Sequence, residues 1–392
     1  MTSMRKHVVI VSEESVLSGH YHCGIGEVAD TLAEALRYYY DVTLITVGKR
    51  TGGYVRSTIT LGVEGNEFTR QAAECINSMR PDLVHNLDAD PTLIDLLTVD
   101  CPTIYTFDRW EFVADKLDLL RRYTHVTTVS QSYAAQVMEA DPDAADLGVV
   151  GITNGISGGF YHRNDAIWGR GFYCKTLGID DAGKPLILSM GRLTPAKGVQ
   201  DIIDAAPDIA AAGAQMVVYG RGDADMEAQL QTLHDAGTLR YVPRMVDYFE
   251  MMSALHAADW YLMPSITEAC GLQALKAAHI GAVPIVRPSG GLQDSFDETN
   301  AILITDSITE AVRRALALSE SDYAALRKSG MEAPVTWQTR VLPWVELYGL
   351  PAEPRPVTPP SSGHGGETAS NYAAEEPYRL CPFARTEETT NE

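Results

Sequence analysis

The sequence predicts an α/β protein: two doubly wound parallel-sheet domains in tandem. Three observations predict it. Short β-branched runs alternate with longer amphipathic stretches in the first part of the chain. The alternation breaks over residues 154–184 into Gly, Asp and aromatic residues, then restarts with the same rhythm. A chain of 392 residues also exceeds one ordinary core, since domains usually hold about 100–200 residues.

The elements follow in order. His7–Val11, Val42–Val47, Asp82–His85, Thr103–Thr106, Val126–Ser130 and Val149–Ile152 read as the strands of the first domain. Val28, Leu32 and Leu36 fall at helical spacing and give the stripe of an amphipathic helix. In the second domain Leu186–Met190, Met216–Tyr219, Leu239–Val242, Trp260–Met263, Val283–Val286 and Ile302–Ile304 read as strands. Asp201–Ala212 and Asp247–Ala258 read as helices, the latter opened by a capping box of Asp247 and Glu250. Domain bounds of 1–165 and 166–336 follow. Residues 351–392, rich in Pro, Ser, Gly, Thr and Glu, are too polar to order themselves and predict a disordered tail, with Tyr378, Leu380 and Phe383 its apolar cluster.

Charge narrows the function. Lys and Arg number 31 against 52 Asp and Glu, a formal net charge of -21. Nucleic acid and anionic membrane both demand basic surface, so neither is an expected partner. The N-terminal apolar run Val8–Val11 is too short for a signal peptide, and no stretch is apolar for long enough to span a bilayer. Six scattered cysteines (Cys23, Cys75, Cys101, Cys174, Cys270 and Cys381) form no CxxC pair and read as reduced thiols of a cytoplasmic protein.

The chemistry concentrates at strand-to-helix turns. The first such turn carries Gly24-Ile25-Gly26, which lets backbone approach a ligand at a helix N-terminus, though such glycines also serve as plain turn residues. Gly191-Arg192-Leu193-Thr194-Pro195-Ala196-Lys197-Gly198 follows the first strand of the second domain. Its Arg192 and Lys197 can both reach one diphosphate and neutralise a leaving nucleotide. Pro264 to Leu275 then places Glu268 on a loop at the carboxyl end of a strand, where doubly wound folds bind ligands. The backbone around Cys270, Gly271 and Leu272 opens a helix whose positive end suits a phosphate. Ser289-Gly290-Gly291-Leu292 adds a glycine turn at the same edge. Asp88-Ala-Asp90 and Asp223-Ala-Asp225 could suggest metal–diphosphate binding, but they read as a turn and a helix cap, and no metal is expected.

Gly191–Gly198, Glu268–Leu275 and Arg287–Asp294, in this order and spacing, resemble the glycogen/starch synthase family and its close retaining glycosyltransferase relatives. Thr153-Asn154-Gly155-Ile156 is similar to the family's interdomain segment. Trp337 to Tyr348 resembles its last helix, which crosses back to the first domain, giving 337–350. The resemblance covers roughly residues 7–350, strongly in the second domain and loosely in the first. It implies the GT-B fold, two Rossmann-like domains with a nucleoside-diphosphate sugar between them. It also implies hexosyl transfer to a small-molecule or glycan hydroxyl with retention, by front-face displacement in which the departing phosphate takes the acceptor proton. The donor is then a substrate, and no cofactor is implied. Arg192 and Lys197 would hold the diphosphate, and Glu268 would sit beside the donor sugar. Gly191 would line the turn, the Cys270–Leu272 backbone would lie near the phosphates, and Gly24 and Gly26 would close over them.

Two departures stand out. Many relatives carry a second Glu where this chain has Lys276, and a His where Thr106-Phe107-Asp108-Arg109 stands. Asp108 or Arg109 takes that place, or else His85, one strand earlier. The missing His leaves a pseudo-glycosyltransferase or nucleotide-sugar-binding module as the alternative reading. A sugar-nucleotide epimerase fits less well, because no set of paired acids and bases is evident.

Overall fold

The structure, a computed structural model, describes residues 5–16, 18–19, 24–48, 58–157, 169–179, 183–246 and 248–352. Cys23, Asp247, the 165/166 boundary and nearly all of the 351–392 tail lie outside these residues.

Two parallel sheets account for the architecture. The first contains β1 (His7–Val11), β2 (Asp41–Val47), β3 (Thr58–Leu61), β4 (Leu83–Leu87), β5 (Thr103–Phe107), β6 (His125–Thr128) and β7 (Val150–Gly151), in the order β3-β2-β1-β4-β5-β6-β7. The second contains β8 (Leu186–Met190), β9 (Gln215–Tyr219), β10 (Arg240–Val242), β11 (Trp260–Met263), β12 (Val283–Val286) and β13 (Ile302–Leu303), in the order β10-β9-β8-β11-β12-β13. Both are Rossmann-like. Each starts at its centre, winds outward one way, then crosses back and winds outward the other. Helices cover both faces, so central strands are apolar throughout: Val8, Val9, Ile10 and Val11 are all 0% exposed.

β3 escaped the sequence reading. Its Thr-Ile-Thr-Leu residues are all half-buried on the sheet edge, pairing β2 from Leu44↔Thr58 to Val47↔Leu61. A four-residue edge strand carries too little apolar signal to stand out. The expected capping box lies partly outside the described residues, at Asp247; the Glu250 carboxylate accepts from the Tyr219 hydroxyl at 3.0 Å and pairs with Arg244. Asp223 does cap its helix, accepting from the Asp225 and Met226 amides.

The domains touch along one seam. Thr153 Oγ1 and the amides of Gln131 and Ser132 all donate to Asp294, at 2.7, 2.7 and 3.0 Å. Asp294 thus caps, from the second domain, the helix Gln131–Ala140 of the first. Ile156 bridges Thr336, and the Trp337 indole donates to Thr31 at 2.8 Å. Beyond it the helix Leu342–Tyr348 packs onto the first domain, with Trp344 0% exposed and its ring 4.8 Å from that of His85. Among the described residues no helix is long and apolar enough to cross a membrane. Cys75, Cys101, Cys174 and Cys270 are free thiols.

Candidate active site

In the second sheet the strand order reverses between β8 and β11, neighbours in space although β9 and β10 intervene in sequence. Connections leaving the carboxyl ends of such a pair diverge to opposite faces and open a crevice. Gly191–Gly198 leaves β8, and the Pro264–Gly271 loop leaves β11. Their mutual approach depends on Gly198, at φ 67°, where a Cβ would stand 2.3 Å from the Pro264 carbonyl oxygen. The loops are then laced by the Ile266 and Thr267 amides, which donate to the Ala196 carbonyl at 2.8 and 3.3 Å.

That lacing brings Lys197 to Glu268. The ammonium donates to Oε2 at 2.6 Å, and the Ser265 hydroxyl donates to the same oxygen at 3.0 Å. Glu268 is 8% exposed, so its charge depends on these two donors. Arg192 is exposed at the lip of the same turn and, among the described residues, its guanidinium has no protein partner. Gly191 leaves open space beside its Cα.

Behind Glu268 the glycine turn is a packing device. A Cβ on Gly290 would lie 2.0 Å from the Glu268 carbonyl oxygen, and one on Gly291 would lie 2.4 Å from that of Ala269. The Gly291 amide donates to the Glu268 carbonyl at 2.9 Å. These two glycines therefore hold the Glu268 loop from below. Gly271, at φ 83°, opens the helix Leu272–Ile280, and no side chain caps that helix. The Cys270 thiol is buried, beside the Asn154 backbone and within the field of Arg340, Glu268 and Asp108, and burial pushes it up to about 12. Only the backbone of Cys270 remains a candidate for phosphate contact.

The first domain meets this crevice with its own switch point, between β1 and β4. The helix Gly24–Leu36 starts there, and a Cβ on Gly24 would be 3.0 Å from Leu272 Cδ1. Ile25 turns its side chain into the core. Asp108, just past β5, is held above the usual carboxylate range by burial and then by the facing Glu268, with Arg109, Lys197 and Arg192 opposing. It thus shares the electrostatic field of all three second-domain candidates. Its amide donates to Asp88 Oδ1 at 3.2 Å. Asp88, past β4 and at φ 58°, is lifted to about 7 by burial and then by Asp108. Sequence reasoning treated Asp88 only as part of an Asp-x-Asp turn.

His85 requires a correction. It is 0% exposed, with Nδ1 2.8 Å from the Tyr348 hydroxyl and Nε2 2.6 Å from Thr106 Oγ1. Burial lowers it to about 3, so it is a neutral core residue clamped by the C-terminal helix, not a donor-binding one. Of the other candidates for the missing His, Asp108 stands in the field of Glu268, Lys197 and Arg192, and the Arg109 guanidinium lies 3.8 Å from the Phe112 ring centroid. Lys276 also has a role the sequence did not disclose: its ammonium donates to Glu27 Oε2 of the first domain.

Residues 184–320 match the model of the family described as Glycosyl transferases group 1. A glycogen synthase of Xanthomonas oryzae pv. oryzae is 30% identical over 260 residues, covering 57% of this chain and 50% of that protein. The chain thus spans about half the length of that curated relative. The catalytic domain of starch synthase IV from Arabidopsis thaliana, bound to ADP and acarbose, superposes with a TM-score of 0.74 at 19% identity, over 88% of this chain and 99% of that one. Anabaena HepE in complex with UDP and glucose gives 0.67 at 13% identity, over 88% and 99%.

Proposed function

We propose, starting from a chain of GT-B fold that is related to the glycogen synthases and carries a group 1 glycosyltransferase domain, that it moves a hexosyl group from a nucleoside-diphosphate sugar to a hydroxyl acceptor with retention of configuration. The observation that carries this reading is the Lys197–Glu268 pair at 2.6 Å, set beside Arg192 at the second switch point and facing Asp108 of the first domain. A diphosphate placed between Arg192, Lys197 and the uncapped N-terminus of Leu272–Ile280 meets three sources of positive potential. Each grows in value as the glycosidic bond breaks and charge collects on the leaving oxygen. Glu268 then accepts from a donor-sugar hydroxyl with an oxygen whose position Lys197 and Ser265 fix. Asp108 borders the sugar from the opposite wall. The departing phosphate takes the acceptor proton, so no separate base is assigned. Relatives of this fold solved with ADP or with UDP and glucose support a nucleotide ligand in this crevice.

The test is incubation with radiolabelled ADP-, UDP- and GDP-sugars, with and without short glycan acceptors. Transfer, or slow donor hydrolysis without acceptor, is the expected result. A changed sugar on an intact nucleotide would indicate an epimerase, and tight binding without turnover a binding module. Either outcome overturns the proposal.

A further inference from the structure

Lys276 sits four residues into the helix that begins at Leu272, and it is 2% exposed. A lysine so buried is costly unless a counter-charge meets it. The counter-charge is Glu27, which lies 249 residues away in sequence and in the other domain. Glu27 occupies the first turn of the helix Gly24–Leu36, where a carboxylate also suits the helix's positive end. The same two helices touch at their starts, through Gly24 and Leu272. Two contacts, one apolar at the N-termini and one ionic a turn further in, fix both the distance and the rotation of one helix against the other. Separating the domains would break both contacts at once and return two charges to water.

We propose that Lys276 and Glu27 are positioning residues: their buried ion pair sets the first domain's glycine turn in register over the phosphate side of the crevice. This deepens the transferase reading and rests on it, because the register matters to chemistry only if a diphosphate lies at those helix starts. A glutamate at position 276 would confront Glu27 with a like charge, so the two residues work as a matched set.

The experiment compares Glu27→Gln, Lys276→Met and the exchange Glu27→Lys/Lys276→Glu with the wild type, with Lys328→Gln as surface control. Binding of ADP and UDP is measured by calorimetry, domain separation by small-angle scattering, and folding by circular dichroism. Each single variant is expected to weaken diphosphate binding about 5- to 50-fold. The scattering profile should widen while the dichroism is unchanged, and the exchange should recover most of both losses. Unchanged scattering in Glu27→Gln overturns the proposal, as does an exchange no better than the singles. Glu27→Gln keeps the test decisive should the exchange fail to fold, because Glu27 is partly exposed. If the wild type binds neither nucleotide, the donor-site reading fails, while the scattering comparison still decides the ion pair.

Discussion

Replacing Lys197 with alanine removes the ammonium 2.6 Å from Glu268 and leaves that carboxylate with the Ser265 hydroxyl as its remaining side-chain donor. Two effects follow, and they separate. Breaking a fully buried pair costs about 3–5 kcal/mol. Lys197 retains 26% side-chain exposure against 10% for Glu268, so solvent screening reduces this to about 1–2 kcal/mol. For domains of this size that corresponds to a melting point lower by roughly 3–6 °C. The kinetic effect is larger. Losing one preorganised donor to a developing anion costs about 100- to 1000-fold in rate. It falls on kcat, because the interaction strengthens as the leaving diphosphate gains charge.

Arg192 supplies the contrast. It is exposed and holds no partner among the described residues, so Arg192→Ala should lose a comparable factor in kcat with no change in melting point. Arg192→Lys should rescue poorly, since a point charge cannot reproduce the planar fork. Steady-state kinetics with the donor found in the sugar panel, alongside thermal melts, measures both quantities for each variant. A Lys197→Ala enzyme that melts lower yet keeps kcat within about threefold, well short of the loss expected of a lost oxyanion donor, would show that Lys197 only braces Glu268. The phosphate assignment would then be refuted.

Turnover is expected to survive EDTA, because phosphate binding is assigned to Arg192, Lys197 and a helix N-terminus; complete loss restored by magnesium or manganese would contradict that assignment. Asp88→Asn should stabilise the protein above neutral pH. Its carboxyl sits at about 7 when folded and at its ordinary 3.8 when unfolded, so stability falls as pH rises from about 4 to 7. The amide removes that slope, worth about 2–4 kcal/mol at pH 8, and tolerates the φ of 58°; urea midpoints whose difference from wild type does not widen between pH 4 and 8 would count against it. Gly291→Ala should lower stability by about 1–3 kcal/mol by pushing a methyl into the Ala269 carbonyl. Gly62→Ala, with open space around it, should be silent in the same melt.

How much of this was legible in the sequence follows from the range of each interaction. β1, β8, β11 and β12 coincide with the predicted runs, because a strand buried on both faces is apolar along most of its length. β3 was not legible, being short, half-buried and at an edge. That the loops carrying Arg192, Lys197 and Glu268 would meet at one sheet edge was legible, because they leave strands that prove adjacent and keep recognisable local chemistry. His85 misled, since a polar residue near a strand's carboxyl end looks like a ligand until Tyr348, 263 residues later, takes its ring nitrogen. The Glu27–Lys276 pair was hidden for the same reason: Glu27 looks ordinary in the sequence, and Lys276 stands out only as a departure from the family pattern until the two domains meet. Asp108 was visible only as a departure from the family pattern, and burial opposite Glu268 is what gives it meaning.

The site divides into a part assembled within one domain and a part that needs both. Lys197, Ser265 and Glu268 are fixed by loops of a single sheet, tied together by Gly198 and the Ala196 carbonyl. That arrangement persists however the domains stand. Asp108 and the start of Gly24–Leu36 reach the same crevice only while the interdomain contacts hold: Asp294 on Gln131 and Ser132, Ser130 Oγ on the Ala269 carbonyl at 2.5 Å, and Glu27 on Lys276. Misplacement of about 1 Å is enough to cost orders of magnitude in an oriented reaction. On the proposed reading, phosphate recognition therefore depends least on the seam and sugar transfer depends on it most. Loss of the seam should leave a protein that still holds a diphosphate through Arg192 and Lys197, though more weakly than the intact protein, but presents no opposite wall to the sugar.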